Sequence, residues 1–168
     1  MWPMVEFDPV GTIAFFRERH RVESRITGCV LRAVPADRLS YTPHPASSTA
    51  GAVAWTIVRC LRACNRLTEI DTAEISLDVA PDHATLVESF DAESRMLAER
   101  LAVLSQQDWT TDRSVTSLGR VLLNHSMGQI FWLFHVDAIH HRGQISTFLR
   151  GFGAKVPSIY GPSGDSQR

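Results

Sequence analysis

The sequence contains very little lysine, few cysteines and no long apolar run. Only one of its 17 basic residues is lysine, Lys155, and the formal net charge is −1. A nucleic-acid-binding protein usually carries a basic excess, and the run Ile130–Phe134 is far shorter than the roughly 20 apolar residues of a membrane-spanning helix. We therefore expect neither a nucleic acid nor a membrane as a partner.

The cysteines and the N-terminal residues bear on cellular location. Cys29, Cys60 and Cys64 do not suggest the disulfide framework of a secreted domain. Met1–Glu6 lack the basic region and apolar run of a signal peptide. Because 44% of the 168 residues are hydrophobic, the chain suits one compact domain over residues 1–168. We expect a cytoplasmic protein.

The first of four segments with helical spacing of apolar residues begins at a cap formed by Asp8 and Pro9 and ends before Pro35. Its charged side includes Glu23, which we expect to face solvent. Its predicted apolar stripe consists of Phe15, Val22, Ile26, Cys29 and Ala33.

The remaining segments predict three more helices, over residues 48–69, 81–105 and 117–151. Residues 35–48 are rich in proline and predict a long crossover loop. The link over residues 70–80 is predicted to be irregular, with a short extended piece near Ile75, and the last helix to bend near Gly128. With a non-helical tail from Lys155, the pattern indicates an all-α four-helix bundle.

The last predicted helix carries three polar residues on its apolar stripe. Asp137, His141 and Gln144 lie at helical spacing between Phe134 and Phe148, so all of them are expected to face the core. Buried polar groups need partners. The spacing is compatible with a structural Asp–His hydrogen bond, and equally with a catalytic or metal-ligating pair.

The second predicted helix places Thr56, Cys60 and Cys64 on one face. A buried cysteine usually acts as a small apolar residue, whereas a thiolate would be a nucleophile or a metal ligand. The spacing assigns no role to the other histidines. His140 is adjacent to His141 and points to a different side of the helix, and the remaining ones stand alone: His44, His125 and His135.

Residues 137–145, Asp-Ala-Ile-His-His-Arg-Gly-Gln-Ile, resemble the HHRGQ signature of the DinB/YfiT-like superfamily, and residues 156–163 resemble one branch of it. The resemblance implies a four-helix bundle, often a homodimer, with a divalent metal between the second and fourth helices. It also implies activities such as thiol-dependent S-transfer, with a low-molecular-weight thiol, or isomerisation.

The metal ligands that the resemblance implies are one histidine of the second helix and two histidines four residues apart on the last. These positions fall on Thr56, Asp137 and His141. A neutral hydroxyl is a poor ligand for zinc or nickel. Cys60 could replace it only if the helices shifted, and His44 could reach the site from the proline-rich loop. We therefore predict weak or substoichiometric metal binding.

Three functions remain open at the level of sequence. The first is a small-molecule enzyme, for example for a biosynthetic cyclisation or isomerisation, with His141 as acid/base oriented by Asp137. Its substrate pocket would be lined by Trp55, Thr56, Cys60 and Gln144. The second is a metal-dependent thiol S-transferase, and the third a non-catalytic small-molecule-binding or dimeric scaffold protein.

Overall fold

The computed structural model describes residues 11–165, which form a helical bundle with a small sheet at one end. The elements in chain order are α1 Ile13–Arg32, α2 Ala50–Leu67, β1 Thr72–Glu74, α3 His83–Val103, α4 Gln106–Thr110, β2 Asp112–Ser117, β3 Arg120–Ser126 and α5 Met127–Phe152. The predicted cap at Asp8 and Pro9 lies outside the described residues. The helix α1 begins after Thr12, whose hydroxyl accepts a hydrogen bond from the backbone N–H of Phe15.

The four long helices form the predicted bundle. Both α1 and α2 pack against α3 and α5, so α1 and α2 lie at opposite corners. The loop between them therefore crosses the bundle, as its length predicted. Local signals placed two of the helix starts correctly, because Thr49 caps α2 and Asp82 caps α3.

The orientation of α1 differs from the prediction. The predicted apolar stripe lies towards the outside, with Phe15 55% exposed, Cys29 also exposed and the other three members half-buried. The buried face instead includes the polar residues His20 and Glu23, which are 3% and 5% exposed. Glu23, predicted to face solvent, is thus in the core. The reason is that polar partners on α3 and α5 meet this face of α1, as described below.

The structure also corrects the all-α prediction, because residues 112–126 form a hairpin and not the start of the last helix. The strands β2 and β3 are antiparallel, and the turn between them has positive φ at Leu118 (50°) and Gly119 (72°), as two-residue hairpin turns require. The strand β1 pairs in parallel with β2, slightly before the extended piece predicted near Ile75. The apolar run after Gly119 is compatible both with the helical period of about 3.6 residues and with the strand period of two, so its pattern alone does not distinguish a strand from a helix.

The helix α5 consequently begins ten residues later than predicted, at Met127. Gly128 lies in its first turn and does not mark a bend. A Cβ atom there would lie 2.5 Å from the indole of Trp109, so the glycine allows α4 to pack closely against α5.

The described part of the tail, residues 154–165, is non-helical as predicted. The carboxylate of Asp165 accepts a hydrogen bond from the backbone N–H of Val156 (2.9 Å) and pairs with Arg150 (2.6 Å). The tail is thereby attached to the end of α5. None of the helices in residues 11–165 is both long enough and apolar enough to cross a membrane.

Candidate functional site

The site centres on His141 of α5, which lies between two hydrogen-bond acceptors on the same helix. Its Nε2 is 3.3 Å from Oδ2 of Asp137, one turn before, and its Nδ1 is 2.8 Å from Oε1 of Gln144. The side chains of His141 and Asp137 are 19% and 22% exposed. The structure therefore brings together all three polar residues of the α5 stripe, at the edge of the core where solvent can still reach them.

This arrangement changes the acidity of His141. Burial alone lowers the pKa of the imidazole, but the hydrogen bonds to Asp137 and Gln144 outweigh burial, and the net pKa is raised. Both ring nitrogens can donate only when the ring is protonated. His141 is therefore suited to hold, donate and recover a proton near neutral pH.

On α2, which packs against α5, Thr56 and Arg59 are hydrogen-bonded to each other. The hydroxyl of Thr56 donates to the backbone oxygen of Ala52 (3.0 Å) and accepts a hydrogen bond from Nη2 of Arg59 (2.9 Å). The positive charge of Arg59 acts against the protonation of His141. Sequence reasoning missed Arg59, although its position three residues after Thr56 already placed it on a neighbouring part of the same helix surface.

Cys60 lies deeper than a residue that lines a substrate pocket would. It is 6% exposed and lines, with Cys64, an interior cavity of about 30 Å³, which has room for about one water molecule. Burial and the nearby charge of Asp137 raise the pKa of the Cys60 thiol to about 12. Cys60 is therefore protonated near pH 7 and is not poised as a thiolate nucleophile.

Trp55 lies apart from the other predicted site residues. Its indole donates to the carboxylate of Asp78 (3.0 Å), and the guanidinium of Arg62 stacks over its ring at 4.6 Å. These contacts join α2 to the segment before α3. Neither Trp55, Thr56 nor Gln144 lines the interior cavity.

The other histidines are dispersed. His44 is exposed in the crossover loop, where its Nδ1 accepts from the backbone N–H of Ala46 (3.1 Å), and His125 lies on β3. His140 is exposed next to His141. His135 faces the interior cavity together with His20, whose Nε2 lies 3.0 Å from the backbone oxygen of Ser94.

The residues present do not fit a tightly held zinc or nickel ion. Within residues 11–165, no three His, Cys, Asp or Glu side chains converge in a way that could hold a metal ion. Asp137 and His141 are hydrogen-bonded to each other, and the oxygen of Thr56 already accepts from a cationic guanidinium. A divalent ion here would have only Asp137 and His141 as good ligands. The nearby positive charge of Arg59 would also repel it.

A second group of polar residues lies behind the site and was missed in the sequence. Arg142 is 1% exposed, and its guanidinium pairs with Glu23 of α1 at 2.6 Å. The hydroxyl of Tyr160, in the tail, donates to the same carboxylate (2.8 Å). This network connects α1, α5 and the tail directly behind the helix turn that carries His141.

Comparisons with known proteins agree with this fold. Residues 11–167 match the DinB family, so the chain belongs to that family. It is similar to the uncharacterized protein YrdA of Bacillus subtilis (strain 168), with 25% identity over 154 residues and 90% of each chain covered.

Two solved structures are also similar. A DinB-like protein from Bacillus cereus ATCC 10987 has a TM-score of 0.72 at 24% identity, covering 89% of this chain and 98% of that one. A second DinB-like protein, YjoA from Bacillus subtilis, has a TM-score of 0.68 at 14% identity, covering 88% and 99%. At these identities the likeness shows the fold alone.

Proposed function

We propose that the protein is a DinB-family enzyme that acts on a small organic molecule by proton transfer, with His141 as the general acid/base. The observation that carries the proposal is the position of the imidazole between Asp137 and Gln144. Asp137 orients the ring and favours its protonated form, and Gln144 fixes the other nitrogen. Proton transfer of this kind is what an isomerisation or a cyclisation requires.

The interior cavity is too small for an organic substrate. The substrate would therefore approach from the outer side of the α2–α5 seam, where Thr56 and Arg59 lie half-buried. Metal-dependent thiol transfer receives less support, because the donor set of the described residues is a poor fit to a divalent ion. No step of the proposed reaction uses a metal or a thiol.

A proton-exchange experiment tests this proposal and does not require the substrate to be identified. The protein is incubated in D₂O with a panel of small oxo compounds, and deuterium incorporation next to the carbonyl group is followed by NMR. His141 would take the proton from carbon and return a deuteron from solvent. We expect His141→Ala to slow exchange by roughly 10²–10⁴-fold, the contribution typical of a positioned acid/base. Asp137→Asn should slow it by less, because His141 remains but loses its charged partner.

The matched control is His140→Ala, because His140 is the adjacent histidine on the same helix and is exposed. This variant should exchange at the wild-type rate. Thermal unfolding of the same variants separates catalysis from structure. If His141→Ala exchanged normally, the proposal would be wrong. A lowered melting temperature would then make the pair structural, and an unchanged one would contradict both interpretations of His141.

A further inference from the structure

A groove lies on the outer side of α2, and Arg59 is one of the residues that line it. It runs between α2, α3 and the β1 region and has a volume of about 370 Å³, which is within the range of small-molecule sites. Its lining is strongly charged and includes the following residues: Arg59, Arg62, Arg66, Arg100, Glu69 and Glu93.

Most of the charge in this groove is already neutralised. Arg62 pairs with Glu93 at 3.0 Å, and Arg100 pairs with Glu69 at 2.6 Å. Arg66 also lies 4.0 Å from Glu69. These pairs form the walls of the groove. With Glu74, which also lines it, the three arginines and three glutamates at these positions carry no net charge.

Arg59 is different, because no carboxylate of residues 11–165 lies within ion-pair distance of it. Its guanidinium contacts neutral oxygens only, the hydroxyl of Thr56 at 2.9 Å and the backbone oxygen of Ser76 at 3.1 Å. Its Nε–H is buried and has no acceptor. A half-buried cation without a counter-charge is costly.

The other arginines without an ion pair are accounted for. Arg17 donates to the backbone oxygens of Leu101 and Leu104, at the end of α3 where the helix dipole is negative. The remaining ones, Arg25, Arg95 and Arg120, are exposed to water. Among the described arginines, Arg59 is therefore the partly buried one whose charge is left for a ligand.

The geometry points to Arg59 as the residue that binds an oxyanion group, a carboxylate or a phosphate, of a small-molecule substrate lying in this groove. The inference rests on the proposed function, because Arg59 lines the groove and its charge also acts on His141, so an oxyanion held by Arg59 would connect the groove with the acid/base residue. A guanidinium is suited to this role, since its planar fork binds two oxygens of one oxyanion.

The test is a titration of the full-length ¹⁵N-labelled protein with inorganic phosphate and, separately, with acetate. The ionic strength is held constant, so that general screening does not change. We expect saturable NMR shifts of the Arg59 Nε–H and of neighbouring α2 amides with at least one anion. Saturation by phosphate alone assigns a phosphoryl group, and saturation by acetate alone assigns a carboxylate.

Arg59→Gln should weaken this binding by about tenfold or more, as expected for the loss of a charge-assisted hydrogen bond. Arg66→Gln is the matched control, because it removes an equal charge from the same groove and should change the affinity by less than about threefold. Unchanged amide shifts outside the groove confirm that both variants remain folded.

The two proposals fail in different ways. Equal binding by Arg59→Gln and the wild type, or no saturation with either anion, overturns the role of Arg59 whatever the exchange experiment shows. If Arg59-dependent binding is found and persists in His141→Ala, but no His141-dependent exchange occurs, the anion site stands and the acid/base function is wrong.

Discussion

Arg142 and Glu23 form an ion pair in the core, with Nη1 of the arginine 2.6 Å from Oε2 of the glutamate. The two residues are 1% and 5% exposed and are 119 residues apart in sequence. The same carboxylate accepts a hydrogen bond from Tyr160. A buried pair of this kind joins α1, α5 and the tail, and removal of one partner leaves the other charge without compensation.

We therefore expect Glu23→Gln to lower the free energy of unfolding by about 3–5 kcal/mol, since Arg142 then remains buried and unpaired. Urea denaturation measures this loss. Glu18→Gln is the matched control, because Glu18 pairs with Arg21 on the exposed side of the same helix, and its effect should be much smaller. Equal losses in the two variants would contradict a special role for the buried pair.

His135 makes stability depend on pH below neutrality. Burial, with a smaller contribution from the charge of His20, lowers the pKa of His135 to about 4, whereas an unfolded histidine titrates near 6.5. Between these two values only the unfolded chain binds the proton, so stability falls as the pH falls from about 6.5 to about 4. The total loss from this group is about 3 kcal/mol.

His135→Gln should remove this loss, and the difference between the unfolding free energies of variant and wild type should change across that pH window. His140→Gln, at an exposed position, should leave the profile unchanged. His141 contributes with the opposite sign, because its raised folded pKa gives stability that is present at low pH and is lost as the pH rises above about 6.5. A flat difference profile for His135→Gln would show that His135 titrates normally in the folded protein.

Metal binding should respond to position 56. Thr56→His places an imidazole at the α2 position where the family resemblance implies a metal ligand, and we expect it to increase zinc or nickel content, measured on protein purified without a His tag. Adding Arg59→Met should increase it further, because the adjacent positive charge is removed. Thr147→His, at an exposed position of α5, should not. Tight, stoichiometric metal in the wild-type protein would contradict this interpretation of Thr56.

The expected homodimer remains a prediction, and the outward apolar side of α1 is the surface on which we test it. Phe15 lies 5.9 Å, between ring centroids, from Trp132 of α5, and Val136 beside it is 43% exposed. If a second copy covers this surface, Val136→Glu should shift the protein towards monomer in light scattering at micromolar concentration, since a charge would be buried in the interface. Val79→Glu, at a position 89% exposed between α2 and α3, is the control. A monomeric wild type would remove the dimer prediction.

Part of the candidate site could be predicted because it is local. Asp137, His141 and Gln144 meet because they lie on one helix at spacings of four and three residues, so the helical period alone brings them together. For the same reason, the hydroxyl of Thr56 accepts a hydrogen bond from Arg59, three residues later on the same helix. The remaining contact of Arg59, with Ser76, depends on the path of the chain after α2 and has no local signal.

The amino-acid sequence by itself determined the helical segments α2 and α3 with their caps, the crossover loop and the polar stripe of α5, because these features depend on interactions between residues close in the chain. The tertiary structure alone decided which face of α1 is buried, since Glu23 enters the core to meet Arg142 against its intrinsic preference for water. It also decided how residues 112–126 are used, because β2 lies between β3 and the sequence-distant strand β1, which pairs with its other edge. Both outcomes depend on partners that are distant in sequence, and no periodic pattern records them.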